Sequence, residues 1–326
     1  MKVLVLGGAG YIGSHMCKHL SLQGHEVIVF DNLSTGHAEA VKWGVLVKGD
    51  ILNQSDLDAL FDMHGAFDLI MHFCAKSLVG ESVQQPAIYY KNNVKGTLNL
   101  LDTMVKTGHD KLVFSSTAAV FGIPQVDLIN ESQPRQPINP YGQTKKMVED
   151  ILQDYHQAYG LKSVCLRYFN ACGADPEGEI GERHEPETHL IPNILKSVNS
   201  VSSAKLKVFG DNYSTPDGTC VRDYIHINDL ASAHIKAGDY LETHNGAYAF
   251  NLGNGNGFSV LQVINAASAV VGNEISFDIE APREGDPAIL VADASRATKE
   301  LGWQPQYNDI EDIIATAWQW HQDEKF

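Results

Sequence analysis

The sequence predicts an α/β fold: a doubly wound parallel sheet followed by a smaller C-terminal α/β region. Three observations carry this. Short β-rich runs alternate with helical patterns through the first half of the chain. A glycine-rich turn joins the first run to the first helix. The texture then changes after about Ala171, where Gly, Pro, Glu and His crowd together. Strand and helix in alternation imply parallel strands, because each parallel crossover needs a segment that packs back on the sheet.

In chain order, Val3–Leu6 reads as the first strand and a helix runs from about Tyr11 to Gln23, ended by Gly24. Val27–Phe30, Val45–Lys48, Leu69–Phe73, Leu112–Ser115 and Ser163–Arg167 follow as strands. Helices are expected over Ser55–Met63, Ala87–Lys106 and Tyr141–Tyr159. Gly173–His189 reads as a loop, and shorter elements follow, including Lys205–Phe209, Val260–Val271 and Asp309–Trp320. The expected division is a first domain over 1–171 and a mainly ligand-binding region over 172–326. Some segments of the second half are expected to return to the main sheet.

With 326 residues, 44% of them hydrophobic, the chain can bury a large core. Twenty-four basic against 40 acidic residues give a net charge of −16, which repels nucleic acid and anionic lipid. No apolar run approaches the about 18 residues a membrane span needs. Met1-Lys2 leads straight into Val3–Leu6, which reads as a strand rather than a signal peptide. The five cysteines, at 17, 74, 165, 172 and 220, are odd in number and form no CxxC, so a reducing, cytoplasmic setting is expected. Among 14 histidines, only His184 and His189 share a short stretch, without thiol or carboxylate partners at metal spacing. No metal site is expected.

Gly7, Gly10 and Gly13 form a GxxGxxG pattern between the first strand and the first helix. Such a turn lets the backbone approach a pyrophosphate while the helix N-terminus supplies amide donors. Alone it also fits a plain strand–helix turn. Asp31 closes the second strand, where an acid can accept hydrogen bonds from both adenosine ribose hydroxyls and repel a 2′-phosphate. The pair points to a Rossmann-type site for NAD rather than NADP. Gly49-Asp50-Ile51 is positioned to flank the adenine.

Tyr141 and Lys145 stand four residues apart, on one face of a helix. A phenol titrates near 10 and is a poor base. A neighbouring ammonium and an oxidised nicotinamide both favour the phenolate, giving an acid–base group of tunable strength. A lone YxxxK is more often a surface helix pair. Thr117 ends a strand at the side of the sheet where ligands bind and can bond or relay a substrate hydroxyl; capping a turn is its plainer role. Gly turn, strand-end hydroxyl and YxxxK in that order are far more specific together.

Further strings carry a resemblance: Gly7–His15 (GGAGYIGSH), Asp31-Asn32-Leu33, His72-Phe73, Val79–Ser82 (VGES), Tyr89–Val94 (YYKNNV), Arg167–Asn170 (RYFN), Gly173-Ala174, Asp217-Gly218, Arg222–His226 (RDYIH), Asn251-Leu252-Gly253, Ala281–Asp286 (APREGD) and Ala292-Asp293-Ala294-Ser295. Over essentially the full chain they resemble the UDP-glucose 4-epimerases (UDP-galactose 4-epimerases) of the extended short-chain dehydrogenase/reductase type. The resemblance implies that NAD is touched by Tyr11, Ile12, Asp31, Asn32, Leu33, Ser34, Thr35 and Gly36. Asp50, Ile51, Phe73, Cys74, Ala75, Lys76, Ser77, Asn92, Lys145 and Phe169 would complete that surface. It makes Tyr141 the base, with Thr117 as companion. Asn170, His189, Lys207, Val208, Phe209, Arg222, Arg283, Glu284, Gly285, Asp286 and Leu290 would hold the UDP-sugar. Two arginines suit a diphosphate, although both also fit interdomain ion pairs, and Phe209 also fits plain core.

The implied reaction interconverts UDP-glucose and UDP-galactose. Tyr141 takes the proton of the sugar 4-hydroxyl, hydride leaves C4 for NAD, the ketone turns over, and both return on its other face. The family also implies a homodimer through the helices near Ala87–Lys106 and Tyr141–Tyr159. Four positions depart from common family choices: Thr117 for serine, Phe121 for tyrosine, Ser77 where some members carry lysine, and Leu290, of intermediate bulk, where bulk bears on N-acetylated sugars. UDP-uronate, UDP-pentose and UDP-N-acetylhexosamine epimerases are neighbouring readings. A dehydratase would need an acid after Thr117, where Ala118-Ala119 stand. An NAD-binding sensor without turnover would be expected to lose Tyr141 or Lys145.

Overall fold

Val3, Leu4, Val5 and Leu6 are all fully buried. Successive side chains of a strand point to opposite faces, so this strand is covered on both sides. It is β1 (Lys2–Leu6) of a seven-stranded sheet in the computed structural model, which describes residues 1–199, 205–283 and 286–326. The other strands of the sheet are β2 (Glu26–Asp31), β3 (Val45–Lys48), β4 (Leu69–His72), β5 (Lys111–Thr117), β7 (Lys162–Tyr168) and β11 (Ala247–Leu252), in the order β11-β7-β5-β4-β1-β2-β3. Every pairing is parallel. The order reverses between β1 and β4, and a crevice opens there beyond the strands' carboxyl ends.

Helices cover both faces. On one, α1 (Tyr11–Leu22) and α8 (Ile227–Thr243) bury Met16, Leu20, Leu230 and Ala233 against Val3, Val5 and Val29. On the other, α2 (Gln54–His64), α5 (Gly96–Thr107) and α6 (Pro140–Tyr159) bury Leu57, Leu100, Met104, Val148 and Leu152 against Leu4, Leu6 and Phe30. The single helix expected over Ala87–Lys106 is instead α4 (Pro86–Tyr89), a π-helical stretch Tyr90–Lys95 and then α5, preceded by the short α3 (Val79–Gln84). Asn139 starts α6: its side chain accepts from Gly142 N at 2.8 Å, and Pro140 fills the first helical position.

The second half does more for the main sheet than the sequence indicated. Helix α8 and strand β11, named by no pattern above, supply one face helix and the seventh strand. The rest forms a smaller layer. β10 (Val221–His226) pairs with β8 (Asn170–Cys172), β12 (Gly257–Ser259) and β14 (Ile289–Ala292), and β14 with β6 (Leu128–Ile129). β9 (Leu206–Phe209) pairs with β13 (Phe277–Glu280). Its core joins α7 (Leu190–Asn199), α9 (Val260–Val271) and α11 (Ile310–Gln322) through Ile191, Ile194, Val263, Ile264, Ile313 and Ile314. α10 (Ser295–Leu301) packs back on the main sheet through Ala297 and Leu301.

Buried carboxylates tie the layers. Asp223 of β10 is fully buried and accepts from Asn254 N (2.7 Å), Gly255 N (3.1 Å) and Ala292 N (3.0 Å), while burial pushes its carboxyl up to about 6. Lys18 of α1 sits among Asp175, Glu177 and Glu179 at 2.9, 2.6 and 2.8 Å. A very tight contact lies at the start of α1, where a Cβ on Gly13 would come within 2.1 Å of the Gly7 carbonyl oxygen. Backbone has no room to yield there. Gly13→Ala should therefore lower stability by about 1–3 kcal/mol, read as a lower midpoint in urea unfolding; an unchanged midpoint would mean that α1 can move off β1 freely.

Candidate active site

The crevice at the ends of β1 and β4 is built around backbone. Gly7 holds φ +80°, and a Cβ there would meet Cys74 N at 2.6 Å, so only glycine lets the two strand ends lie this close. Gly10, the N-cap of α1, has no side-chain cap, and no acid stands in the first turn. A Cβ at Gly10 would meet only the Gly7 carbonyl, at 3.4 Å, so this side of the turn is open. The donors and positive dipole end at Tyr11, Ile12 and Gly13 suit a pyrophosphate. Asp31 is 8% exposed. Its Oδ2 accepts from Ala9 N at 3.0 Å and its Oδ1 from Leu33 N at 2.8 Å, so each oxygen keeps a lone pair for a ribose hydroxyl. Burial raises this carboxyl, while the two amides pull it back. Leu33 is held at φ 59° in the loop that carries Asn32, Ser34, Thr35 and Gly36, a strained conformation of the kind found at ligand clamps. Ser34 and Thr35 are exposed, Gly36 packs on Ala9, and Asn32 donates to Asp50 at 3.1 Å, beside buried Ile51. A dinucleotide fits this set.

The opposite wall is the segment after β4, with Phe73, Cys74, Ala75 and Lys76 partly buried and Ser77 exposed. It is held by Asn93, which the sequence reading passed over in favour of Asn92. Buried Asn93 accepts from Lys76 N and donates to Lys76 O, both at 2.9 Å, and donates to Thr144 Oγ1 at 3.1 Å. Asn92 donates to it at 3.0 Å. Phe169 and Leu290 pack together on Val120, Phe121 and Ile129.

Tyr141 and Lys145 lie on α6, and Thr117 ends β5. Burial raises the Tyr141 phenol, and the hydrogen bond from Thr117 works against that rise. Lys145 is 1% exposed; burial draws its ammonium down to about 8. Its Nζ donates to the Ser115 carbonyl at 2.5 Å and lies 4.6 Å from the Phe114 ring centre. One turn further along α6, Glu149 accepts from Ser116 Oγ (2.5 Å), from Arg167 Nε and Nη2 (2.9 and 2.6 Å) and from Arg135 (2.9 Å). Residues 116, 149 and 167 are thus one buried ionic knot that sets α6 against β5 and β7. Of this knot the sequence pointed only to Arg167, as the head of the RYFN string, and not to Ser116 or Glu149. Phe121 lies under Arg167, 5.3 Å from the guanidinium carbon.

The residues implied for the nucleotide sugar form separate groups. Arg222 donates to Asp286 (2.5 Å) and pairs in register with Leu290. Arg283 lies 4.2 Å over the Phe209 ring. Tyr213 feels the charges of Arg222, Arg283 and Asp286 together, and its buried hydroxyl has no hydrogen-bond partner among the described residues. Asn170 donates to the Asp223 carbonyl at 2.9 Å. Lys207 pairs with Glu280 (3.1 Å) on an exposed strand, and Val208 points into the second core, so Val208 offers a ligand its backbone only. Glu284 and Gly285 lie outside the described residues. His189 bonds Glu182. This corrects one expectation: His184 and His189 do have carboxylate partners, Glu182 and Glu187, because the irregular loop folds its four side chains onto one point rather than along a regular spacing.

The model of the family described as "NAD dependent epimerase/dehydratase family" matches residues 3–253. The UDP-glucose 4-epimerase of Halalkalibacterium halodurans is 50% identical over 323 residues, 99% of this chain and 96% of that one. Among solved structures, UDP-glucose 4-epimerase from Brucella ovis in complex with NAD matches with a TM-score of 0.94 at 48% identity, covering 97% of each chain. That from Bifidobacterium longum in complex with NAD+ and UDP matches with a TM-score of 0.94 at 38% identity, covering 99% of each. The chain belongs to the NAD dependent epimerase/dehydratase family, among its UDP-glucose 4-epimerases.

Proposed function

We infer that this protein is an NAD-dependent isomerase that interconverts UDP-glucose and UDP-galactose. One observation carries the reading: Thr117 bonds Tyr141, with Lys145 one turn along α6, at the strand ends of the same sheet that carries an uncapped Gly turn, in a chain half identical, along its whole length, to UDP-glucose 4-epimerases. NAD, when bound, accepts the C4 hydride and gives it back.

The chain's own residues do the rest. Tyr141 is proposed to take the proton of the sugar 4-hydroxyl and to return it. Thr117 bonds the phenol and favours its ionised form. Lys145, itself buried, supplies positive charge where solvent screens it little. Asp31 would hold the ribose, and the head of α1 the pyrophosphate. Arg222 and Arg283 would grip the diphosphate of the sugar nucleotide, Phe209 and Tyr213 would border its base, and Asn170 and His189 would face its sugar end. These assignments divide the chain into a dinucleotide part, 1–171, and a mainly sugar-nucleotide part, 172–326.

No helix of the described residues is long and apolar enough to cross a membrane. Five free cysteines, four of them buried, suit the reducing cytoplasm. We propose a homodimer through the helical edge formed by 86–107 and α6, where Ile88, Tyr90 and Tyr159 are exposed.

NMR of UDP-galactose with purified protein, with and without added NAD, should show conversion to UDP-glucose. Tyr141→Phe should lose at least about 10² in kcat. No conversion by the native chain, even with NAD, would reject the reading. Lys145→Met should lose about 10²–10⁴ in kcat without lowering the thermal midpoint of the NAD-free protein. A buried lysine drawn down to about 8 penalises folding fully below that pH, and the penalty fades as pH rises toward the ordinary lysine value. A large fall in midpoint at pH 7 would show that the ammonium is instead stabilising. Sedimentation at micromolar concentration should give a single species of twice the chain mass; a monomer would rule out the pairing.

A further inference from the structure

Glu182, His184, Glu187 and His189 converge in the loop after β8, with one ligating atom of each within 4.8 Å of all the others. Both imidazoles turn Nδ1 inward. His184 Nδ1 lies 3.2 Å from Glu182 Oε1 and 3.8 Å from Glu187 Oε2. His189 Nδ1 touches Glu182 Oε1 and lies 4.0 Å from Glu187 Oε1. The two carboxylates form the floor, with side chains 6% and 4% exposed, and the two imidazoles form a rim open to solvent.

We propose that these four side chains bind one divalent transition-metal ion of the zinc class. A separate observation points the same way. Glu187 Oε1 accepts from Thr188 N and His189 N at 2.8 and 2.9 Å, which fixes the carboxylate. Its Oε2 is buried and accepts no hydrogen bond among the described residues; its partners there are two long ion pairs, to His184 Nδ1 at 3.8 Å and Lys196 Nζ at 3.9 Å. A buried carboxylate oxygen met only at 3.8–3.9 Å keeps a lone pair free of any short contact, and a metal ion at the centre of the cluster would take it up.

Charge and chemistry agree. Two carboxylates, two neutral imidazoles and a divalent ion sum to zero, which suits a half-buried site. Two nitrogens and two oxygens match zinc and its neighbours, whereas calcium and magnesium take oxygen alone. Outer contacts hold the ligands: Trp320 Nε1 donates to the Glu182 carbonyl at 3.2 Å, and the Tyr11 ring stands edge-on to His184 at 6.2 Å. The other acidic group, Asp175, Glu177 and Glu179, differs because the Lys18 ammonium already fills it. An ion here would lock the loop to the head of α7 and to the wall of the dinucleotide crevice at Tyr11. On this proposal His189 serves the ion through Nδ1 in place of the sugar contact given to it above; the site does not require the epimerase reaction, and its test reads metal rather than turnover.

Tag-free full-length protein is stripped with a chelator, given zinc chloride, desalted and assayed for metal by mass spectrometry, beside His184→Ala and Glu187→Gln. The native chain should keep about one zinc, each variant should bind at least about tenfold more weakly, and zinc but not calcium should raise the native thermal midpoint. No zinc kept by the native chain, or zinc kept undiminished by both variants, would overturn the proposal. Cobalt(II) gives a readout that needs no variant: visible ligand-field bands are expected with the native protein, and a spectrum identical to aqueous cobalt would overturn it as well.

Discussion

The buried carboxylate of Glu149 is the contact on which the geometry of the active site depends. It gathers Ser116 from β5, Arg167 from β7 and Arg135 from the loop ahead of α6, within 2.5–2.9 Å. Each partner sits next to something that matters. Ser116 precedes Thr117, Glu149 follows Lys145 by one turn, and Arg167 opens the stretch that leads to Phe169 and Asn170. A helix resting on a sheet through apolar contacts alone can slide, because hydrophobic packing has no direction. A carboxylate with four short hydrogen bonds cannot slide without leaving buried charge unpaired, which costs about 3–5 kcal/mol. The knot therefore turns a loosely specified packing into a fixed distance between Tyr141 and the strand-end hydroxyl.

The same device recurs where layers meet. Asp31 ties the end of β2 to the Gly turn, Asp223 ties β10 to β14 and to the turn after β11, and Asp229 accepts Gln306 N and Tyr307 N at 2.8 and 3.0 Å to pin the chain ahead of α11. In each case an acid satisfies backbone amides that irregular segments leave without a ladder. Loops that form the crevice are thus held by side chains rather than by regular structure, and so they can be both irregular and rigid.

Much of this was legible in the sequence. Six of the seven strands of the main sheet and the Gly turn follow from short apolar, β-rich runs and from glycine spacing, which are local signals. Tyr141, Lys145 and Thr117 were visible because their spacing is short and their chemistry unusual. Asn93, Glu149 and Tyr213 were not, since nothing local separates a buried polar anchor from a surface one; only the fold brings Asn93 to Lys76 and Thr144. The π-helical stretch Tyr90–Lys95 carried no proline or glycine to announce it. The cluster at Glu182 was dismissed for the same reason, as its four side chains meet through loop geometry. Helix α8 and strand β11 were missed because their role is tertiary: they belong to a sheet whose other strands end some eighty residues earlier.

That late return of β11 bears on how the chain is made. Until about residue 252 has left the ribosome, β7 has a bare edge, and until α8 has formed, one face of β5 and β7 has no cover. A nascent chain therefore carries six paired strands with an unpaired flank, the arrangement most open to sticking to its neighbours. Folding of the first half can start during synthesis, but closing it must wait for the second. The two halves are in this sense not exchangeable parts, and a gene that borrowed the dinucleotide half alone would inherit an unfinished sheet.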